Sequence, residues 1–384
     1  MNPSLNIVAG ESIPYVQEAF SPLGTLTMLP GRDIRSEDLQ KTDALLVRSI
    51  TKINGALLDD TAVKFVGSAS AGVDHVDFDY LNARKLGFAS SPGSNANSVA
   101  EYVIAALLTL AHQQHWKLSG KTIGIVGVGH IGKLVKRKSE ALGMKPLLND
   151  PFLAQSGEIE HRPLEEVLGC DVVTLHVPIT VDGPFPTFHL INRRSLTYVK
   201  PSTIFINASR GEVVDTQALL EAIQQARIGP TVLDVWEHEP HISWELFEAV
   251  SIGTPHIAGH SLDGKAAGTS MIYSALCKHF DIAPGWNPSQ SLPSPTVPSF
   301  TVSPSSRSDE EVLKSIVTKV YDVEADYQRM KTVASAPREE RTRLFDNLRK
   351  HYPVRREFHG TTVYLPDDKK ILVPALAELG FLHG

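Results

Sequence analysis

The sequence predicts an α/β protein with two parallel sheets followed by a further small domain. Short apolar runs rich in β-branched residues alternate with helical patterns over most of the 384 residues, which is typical of parallel sheets covered by helices. A chain of this length exceeds one compact core, so two or three domains are expected. A proline- and serine-rich stretch, residues 284–308, precedes a tail with enough apolar residues for a domain of its own.

The elements follow in order along the chain. The first strands are expected in LNIVAG, TLTML, DALLVRS and KFVGSAS, with helices in SIPYVQEAF and around VDFDYLNARKLG. A helical pattern from Asn95 to His112 leads to a second series of strands in KTIGIVGVG, MKPLLND, CDVVTLHVP, STIFINAS, PTVLDVW and VSIGTPHIAG. In the tail, DEEVLKSIVTKVYDVEADYQRM, PREERTRLFDNLRKHY and ILVPALAELGF are helical patterns and EFHGTTVYLPD indicates a strand.

Composition excludes several classes of protein. The formal net charge of −6 gives no basic surface for nucleic acid. The start of the chain lacks a secretory signal pattern, and the apolar run from Tyr102 to Ala111 is too short to span a bilayer. Two cysteines, Cys170 and Cys277, form neither a disulfide framework nor a zinc motif. We therefore expect a cytoplasmic protein without a membrane partner.

A glycine-rich turn follows the strand TIGIV and opens a helical pattern. It contains Gly127, Gly129 and Gly132, with His130 and Ile131 between the last two. Asp150 ends the next strand, 21 residues after Gly129, which suits an acid that binds a ribose 2′-hydroxyl. Backbone N–H groups at the helix start can bind a pyrophosphate. This context predicts a dinucleotide site and favours NAD over NADP, because a carboxylate repels a 2′-phosphate.

Three polar residues follow three successive strands of the second series. Arg210 ends IFINASR, Glu239 follows VLDVW, and His256 follows VSIGTP. The carboxyl ends of parallel strands meet at one edge of a sheet, so we expect these side chains to gather there. A histidine can take the proton of an alcohol, a carboxylate can orient it, and an arginine can bind a substrate carboxylate. The set suits hydride chemistry on a 2-hydroxy acid.

A metal site is the alternative interpretation of the histidines in this region, and the spacing argues against it. Pro240 interrupts one histidine pair and Gly259 lies within the other, and no cysteine pair or Asp-rich loop assists. The histidines concerned are His238, His241, His256 and His260. We predict no bound metal.

The motifs GVGHIG, NASRGEVVD, LDVWEHEP and TPHIAG together resemble the D-2-hydroxyacid dehydrogenase family. The resemblance implies a doubly wound Rossmann domain inserted in a flavodoxin-like substrate domain. It implies catalytic roles for Arg210, Glu239 and His256, with His256 rather than His260 carrying the proton. It also implies cofactor contacts from Asp150, Ala208, Ser209, Arg210, Asp234 and Gly259 besides the glycine-rich turn.

The segments DALLVRSITKING, KFVGSASAGVDHVD, SPGSNANSVAEYV and HIAGHSLDGKAAGTS, with the tail, resemble one branch of that family. Its members act on a phosphorylated acid and dimerise through a small α+β C-terminal domain. The implied organisation is a substrate domain of residues 1–95 and 261–283, a NAD-binding domain of residues 96–260, a linker of residues 284–308 and a dimerisation domain of residues 309–384.

The resemblance also implies substrate contacts, which we assign to Ser49, Ser70, His260 and Arg48. His260 departs from the pattern, which often has tyrosine there, although a histidine can still donate a hydrogen bond. Arg355 and Arg356 are predicted to form a solvated basic pair at the surface. Alternatively, they reach the substrate site of a partner subunit. Two other functions stay open: the same chemistry on another acid such as 3-phosphoglycerate, and an NAD(H)-sensing regulator without catalysis.

Overall fold

The computed structural model describes residues 4–304 and 306–384, which form two compact units. The first unit contains the residues up to Asn95 and Ser261–Pro293, and the second contains Ala96–His260 and Ser294–Gly384. The second unit thus includes the predicted tail, residues 309–384, as well as the glycine-rich turn. Within the described residues, no helix combines the length and apolar character needed to cross a bilayer.

The first unit is built on a five-stranded parallel sheet with the order β2-β1-β3-β4-β5, as in flavodoxin-like folds. Leu45 and Leu46 show why its strands are apolar throughout: both are fully buried, but they pack into clusters on opposite faces. The strands are β1 (Leu5–Gly10), β2 (Gly24–Leu29), β3 (Ala44–Val47), β4 (Phe65–Ser68) and β5 (Gly87–Ala89), and the helices between them are α1 (Val16–Phe20), α2 (Gly55–Leu58) and α3 (Phe78–Ala83).

The second unit contains a six-stranded parallel sheet with the order β11-β10-β9-β8-β6-β7. The chain order reverses at β6, so a crevice is expected at the carboxyl ends of β6 and β8. The elements are α4 (Ala96–Gln113), β6 (Thr122–Val126), α5 (His130–Ala141), β7 (Lys145–Asn149), α6 (Pro151–Ser156), α7 (Leu164–Leu168), β8 (Val172–Leu175), β9 (Ile204–Asn207), α8 (Thr216–Gln224), β10 (Thr231–Leu233), α9 (Trp244–Ala249) and β11 (Ile252–Gly253).

The chain then returns to the first unit in α10 (Leu262–His279), which packs beneath β4 and β5. Ser261 caps this helix by accepting the N–H of Gly264 at 2.9 Å. The next stretch, which the sequence predicts as part of an extended linker, contains a 3-10 turn at Pro288–Gln290. On α10, the side chains of Ile272 and Tyr273 lie in the same buried apolar cluster as side chains of β1.

The C-terminal residues fold onto the second unit. Val312 and Ile316 pack in one buried cluster with the α4 side chains, which explains why α4 is apolar around nearly its whole circumference. Asp322 lies between the first two helices of this region, and its side chain caps the second one by accepting N–H groups of its first turn. The elements are β12 (Ser299–Thr301), α11 (Asp309–Val320), α12 (Val323–Ala334), α13 (Arg338–Lys350), β13 (Thr362–Tyr364), α14 (Val373–Leu379) and β14 (Leu382–His383), with the parallel order β12-β13-β14.

The sequence expectations differ from the structure in the shortest elements. β5 and β14 are two or three residues long and were not predicted, and β12 lies inside the predicted linker. The strand expected in EFHGTTVYLPD is confined to Thr362–Tyr364 and follows a 3-10 turn at Phe358–Gly360. Elements this short carry no alternation of their own and depend on neighbouring strands.

Candidate active site

The glycine-rich turn after β6 is shaped by two close backbone contacts. Gly127 has φ 88°, and a Cβ there would lie 2.6 Å from the carbonyl oxygen of His176. A Cβ at Gly132 would lie 2.1 Å from the carbonyl oxygen of Gly127. A Cβ at Gly129 would meet nothing within 4 Å. Two glycines are thus needed by the turn itself, whereas Gly129 leaves open space above the start of α5.

This open space fits a dinucleotide pyrophosphate. The N–H groups of His130, Ile131 and Gly132 lie in the first turn of α5 and therefore have no intrahelical acceptor. Gly129, which precedes them, has no side chain that could cap them, so they are free to bind a phosphate. Asp150 lies at the end of β7, where its Oδ2 accepts the N–H of Val128 at 2.9 Å. That bond fixes the carboxylate beside the turn, where it can also accept a ribose hydroxyl.

Arg210 is held at the carboxyl end of β9 by hydrogen bonds within its own loop. The side chain of Asn207 accepts the Ser209 N–H at 3.0 Å and donates to the carbonyl oxygen of Arg210 at 2.9 Å. Nη1 of Arg210 donates to the carbonyl oxygen of Ser209 at 2.8 Å. A Cβ on Gly211 would lie 2.0 Å from the backbone of Trp236. The loop of Arg210 therefore packs directly against the loop that leads to Glu239.

His256 lies after β11 in a left-handed backbone conformation with φ 58°, which is unusual for a residue other than glycine. Its N–H donates to the carbonyl oxygen of Asp234 at 2.7 Å. The Asp234 carboxylate accepts the N–H groups of Ile257 and Ala258 and the hydroxyl of Thr254, at 2.7 to 2.9 Å. Asp234 thus fixes the strained loop that presents His256.

Glu239 and His256 are in direct contact. Nδ1 of His256 lies 2.8 Å from Oε2 of Glu239, and Oε1 of Glu239 accepts the N–H of Trp236 at 2.9 Å. Burial acts to raise the pKa of Glu239, but His256, Arg349 and the Trp236 N–H outweigh it and leave this pKa below its ordinary value. The ionised carboxylate accepts a hydrogen bond from Nδ1–H of His256, so Nε2 is left as the nitrogen that can exchange a proton with a substrate.

The structure positions the three predicted catalytic residues after adjacent strands of one sheet. Arg210 follows β9, Glu239 follows β10, and His256 follows β11. Among the described residues, no cluster of three or more histidine, cysteine, aspartate or glutamate side chains could bind a metal. Nδ1 of His241 lies 3.2 Å from the hydroxyl of Thr342.

The predicted substrate residues of the first unit also meet each other. The N–H of Ser49, after β3, donates to Oγ of Ser70, after β4, at 3.0 Å. Arg48 precedes Ser49 and is half-buried. In the second unit, the half-buried His260 follows Gly259, and its ring lies edge-on to that of Tyr352, 5.8 Å between centroids.

Two arginines of the C-terminal segment have positions that the sequence did not suggest. Arg355 is not part of a solvated basic pair, because only 6% of it is exposed. Its Nη2 donates to Oγ of Ser98 and to the carbonyl oxygen of Ala258, both at 2.7 Å, which explains its burial. Arg349 lies 3.8 Å from Glu239. No local sequence pattern marks either contact, because both join distant parts of the chain.

Residues 101–258 match the model of the D-isomer specific 2-hydroxyacid dehydrogenase, NAD binding domain. Residues 292–380 match a domain of unknown function, DUF3410. An erythronate-4-phosphate dehydrogenase of Cellvibrio japonicus is 43% identical over 380 residues, covering 98% of this chain and 99% of the relative. One of Escherichia coli is 42% identical over 379 residues, covering 98% of each chain. The chain belongs to the erythronate-4-phosphate dehydrogenase family.

Solved structures share the fold of this chain. A D-lactate dehydrogenase of Aquifex aeolicus, complexed with NAD and lactic acid, is 27% identical with a TM-score of 0.59, covering 72% of this chain and 94% of that one. The TT0316 protein of Thermus thermophilus shares the fold with a TM-score of 0.63 at 24% identity, covering 73% of this chain and 98% of that one. The predicted α/β fold, the dehydrogenase class and the NAD cofactor are confirmed.

Proposed function

We propose that this chain oxidises 4-phospho-D-erythronate to 3-hydroxy-2-oxo-4-phosphobutanoate with NAD, in pyridoxal phosphate biosynthesis. The contact between His256 and Glu239, on a sheet that also carries the open glycine-rich turn, is the observation that supports the reaction type. The substrate is proposed from the relatives, whose names specify erythronate 4-phosphate at 42 to 43% identity over nearly the whole chain.

The proposed mechanism assigns one task to each catalytic residue. Arg210 binds the substrate carboxylate through its planar guanidinium. Nε2 of His256 takes the proton of the 2-hydroxyl, and Glu239 stabilises the imidazolium that forms. The glycine-rich turn would hold NAD, which would supply the acceptor for the hydride that leaves C2. In the reverse direction, His256 returns the proton to the 2-oxo group.

The remaining site residues are proposed from their positions and from the family pattern. For the cofactor they are Gly127, Gly129, His130, Ile131, Gly132, Asp150, Ala208, Ser209, Arg210, Asp234 and Gly259. For the substrate they are Arg48, Ser49, Ser70 and His260. Asp234 is assigned an indirect role in addition, because its carboxylate holds the loop of His256.

We also propose a homodimer formed through the C-terminal segment. This segment exposes four large apolar side chains, which a partner subunit would cover. They are Val354, Tyr364, Ile371 and Leu382. The cytoplasm is the proposed location, supported by the two free, buried cysteines.

The substrate assignment is tested by following NADH formation with purified protein, NAD and a panel of acids. The panel contains 4-phosphoerythronate, 3-phosphoglycerate, D-lactate and D-glycerate. A parallel set adds a 2-oxo acid to reoxidise retained NADH and measures the oxidised sugar acid directly. Preference for 4-phosphoerythronate supports the proposal. Preference for another acid would show that the proposed substrate is wrong, although the proposed reaction type would stand. NADH binding without turnover of any acid would indicate the regulator instead.

A further inference from the structure

Helix α13 places a cation beside the carboxylate that orients His256. Nη1 of Arg349 lies 3.8 Å from Oε2 of Glu239. The same oxygen atom is the acceptor for Nδ1 of His256 at 2.8 Å. Arg349, Glu239 and His256 therefore form a line of alternating charge when the histidine is protonated.

The position of Arg349 follows from how α13 packs. Thr342, Phe345 and Arg349 are spaced i, i+3 and i+7, so they share one helix face. Phe345 is fully buried in the apolar cluster that also contains Trp236 and Phe247. The face that anchors α13 to the NAD-binding sheet is thus the face that carries Arg349.

Two further contacts fix α13 against the segment around Glu239. The hydroxyl of Thr342 lies 3.2 Å from Nδ1 of His241. The guanidinium of Arg341 lies over the ring of Trp244, 5.2 Å from its centroid. The residues that follow Glu239 are therefore in contact with the first half of α13, whereas Arg349 lies in its last turn.

We propose that Arg349 is a positioning residue of the dehydrogenase, a cation from the C-terminal region that limits how strongly Glu239 favours protonated His256. The inference rests on the proposed function and deepens it. Glu239 alone stabilises the imidazolium, whereas Arg349 repels it and competes for the same carboxylate oxygen. The balance keeps more of His256 neutral, which is the form that removes a proton from the alcohol.

The charges around the pair support this reading. Arg349 and His256 are the charged groups that lower the pKa of the buried Glu239, against the raising effect of burial. Arg349 is 30% exposed and its Nε is a buried atom without a hydrogen-bond partner among the described residues. Other titratable or charged groups on the surrounding elements include Arg210 after β9, Asp234, Glu237, His238 and His241 around β10, His260 after β11, and Glu340, Arg341, Arg343, Asp346 and Lys350 on α13.

The test compares Arg349→Gln with the parent across a pH series of kcat/KM for acid oxidation. Loss of the cation makes His256 easier to protonate, so the acid limb should move to higher pH by about 0.5 to 1 unit for a partly screened charge. In Arg349→Lys, which restores a cation, the acid limb of the profile should return towards its position in the parent. Arg343→Gln removes a cation from the same helix, paired instead with Glu340 and 65% exposed, and should leave the limb in place.

A second readout does not depend on turnover. The His256 ring is titrated by NMR with labelled histidine, its signal assigned by its loss in His256→Gln, and the same upward shift is expected in Arg349→Gln. An unchanged midpoint in both measurements, with lower kcat at every pH or a raised KM alone, would overturn the inference in favour of a structural or substrate-binding role. If the parent oxidises no acid, the proposed function fails while the titration still decides the role of Arg349.

Discussion

Nδ1 of His256 lies 2.8 Å from Oε2 of Glu239, although the two residues follow different strands. Asp234 makes the contact possible by holding the loop after β11 through three hydrogen bonds. Glu239 in turn is fixed by the N–H of Trp236. The pair that we propose for proton transfer is therefore preorganised by the ends of β10 and β11 before any substrate arrives.

Replacing the carboxylate by an amide tests the charge in this pair. Glu239→Gln keeps the shape and an oxygen acceptor but removes the charge that stabilises the imidazolium. We expect kcat for oxidation to fall by about 10²-fold and the acid limb of the kcat/KM profile to move to lower pH, opposite to Arg349→Gln. Steady-state kinetics over pH measure both. Glu248→Gln, at an exposed position of α9, is the control, and equal losses in the two variants would contradict the assignment.

The glycine-rich turn predicts different outcomes for two similar substitutions. Gly132→Ala should destabilise the fold, because its Cβ would lie 2.1 Å from a backbone oxygen. Gly129→Ala should keep the melting temperature, because its Cβ would meet nothing within 4 Å, yet weaken NAD binding by filling the space proposed for the pyrophosphate. Thermal melting and NAD titration by fluorescence separate the two effects. Unchanged NAD affinity in Gly129→Ala would refute this placement of the cofactor.

A buried carboxyl group on α4 predicts a pH-dependent stability. Burial and the nearby Glu357 raise the pKa of Glu101 to about 8, against the opposing effects of Lys138, Arg355 and the N–H of Phe358. The folded state then holds a proton that the unfolded state releases from about pH 4.5 upwards. Stability from this group is therefore complete below about pH 4.5 and is lost progressively as the pH rises to about 8.

Glu101→Gln should remove this dependence, because an amide does not titrate. Melting temperatures of the parent and the variant are compared between about pH 5 and 9, and the parent should lose more stability towards high pH. Glu140→Gln, half-exposed on α5, controls for a general loss of charge. Parallel curves for parent and Glu101→Gln would show that Glu101 stays ionised in the folded protein.

The proposed dimer is tested by light scattering after size exclusion. The parent should have twice the chain mass, and Ile371→Asp should shift it towards the monomer, because Ile371 is 76% exposed in the C-terminal segment and would become buried against the partner. Val181→Asp replaces a comparably exposed residue, at 67%, outside that segment and should leave the dimer intact. The proposed C-terminal interface would be contradicted if the parent elutes as a monomer, or if both variants dissociate to the same extent.

The sequence predicted the parts of the structure that depend on local pattern. The apolar strands β1, β3 and β4 and the glycine-rich turn before α5 could be recognised because their residues are adjacent in the chain. Arg210, Glu239 and His256 could be grouped because strand ends of a parallel sheet share one edge. Each of these inferences uses a regular geometry that holds for any sheet of this type.

The tertiary contacts of the C-terminal segment could not be predicted in this way. Arg355 was expected at the surface because arginines usually lie there, and its burial depends on acceptors from Ser98 and Ala258. Arg349 reaches Glu239 only because Phe345 anchors α13 to the cluster of the NAD-binding sheet. The packing of α11 against α4 likewise joins residues that lie far apart in the chain.

His256→Asn tests whether His256 moves the proton in an NAD-dependent oxidation of 4-phosphoerythronate. NADH formation from 4-phosphoerythronate and NAD binding by fluorescence are measured for the parent and the variant. We expect a loss of about 10²- to 10⁴-fold in kcat with NAD affinity retained. Turnover by the variant close to that of the parent would contradict the role of His256 and the mechanism built on it.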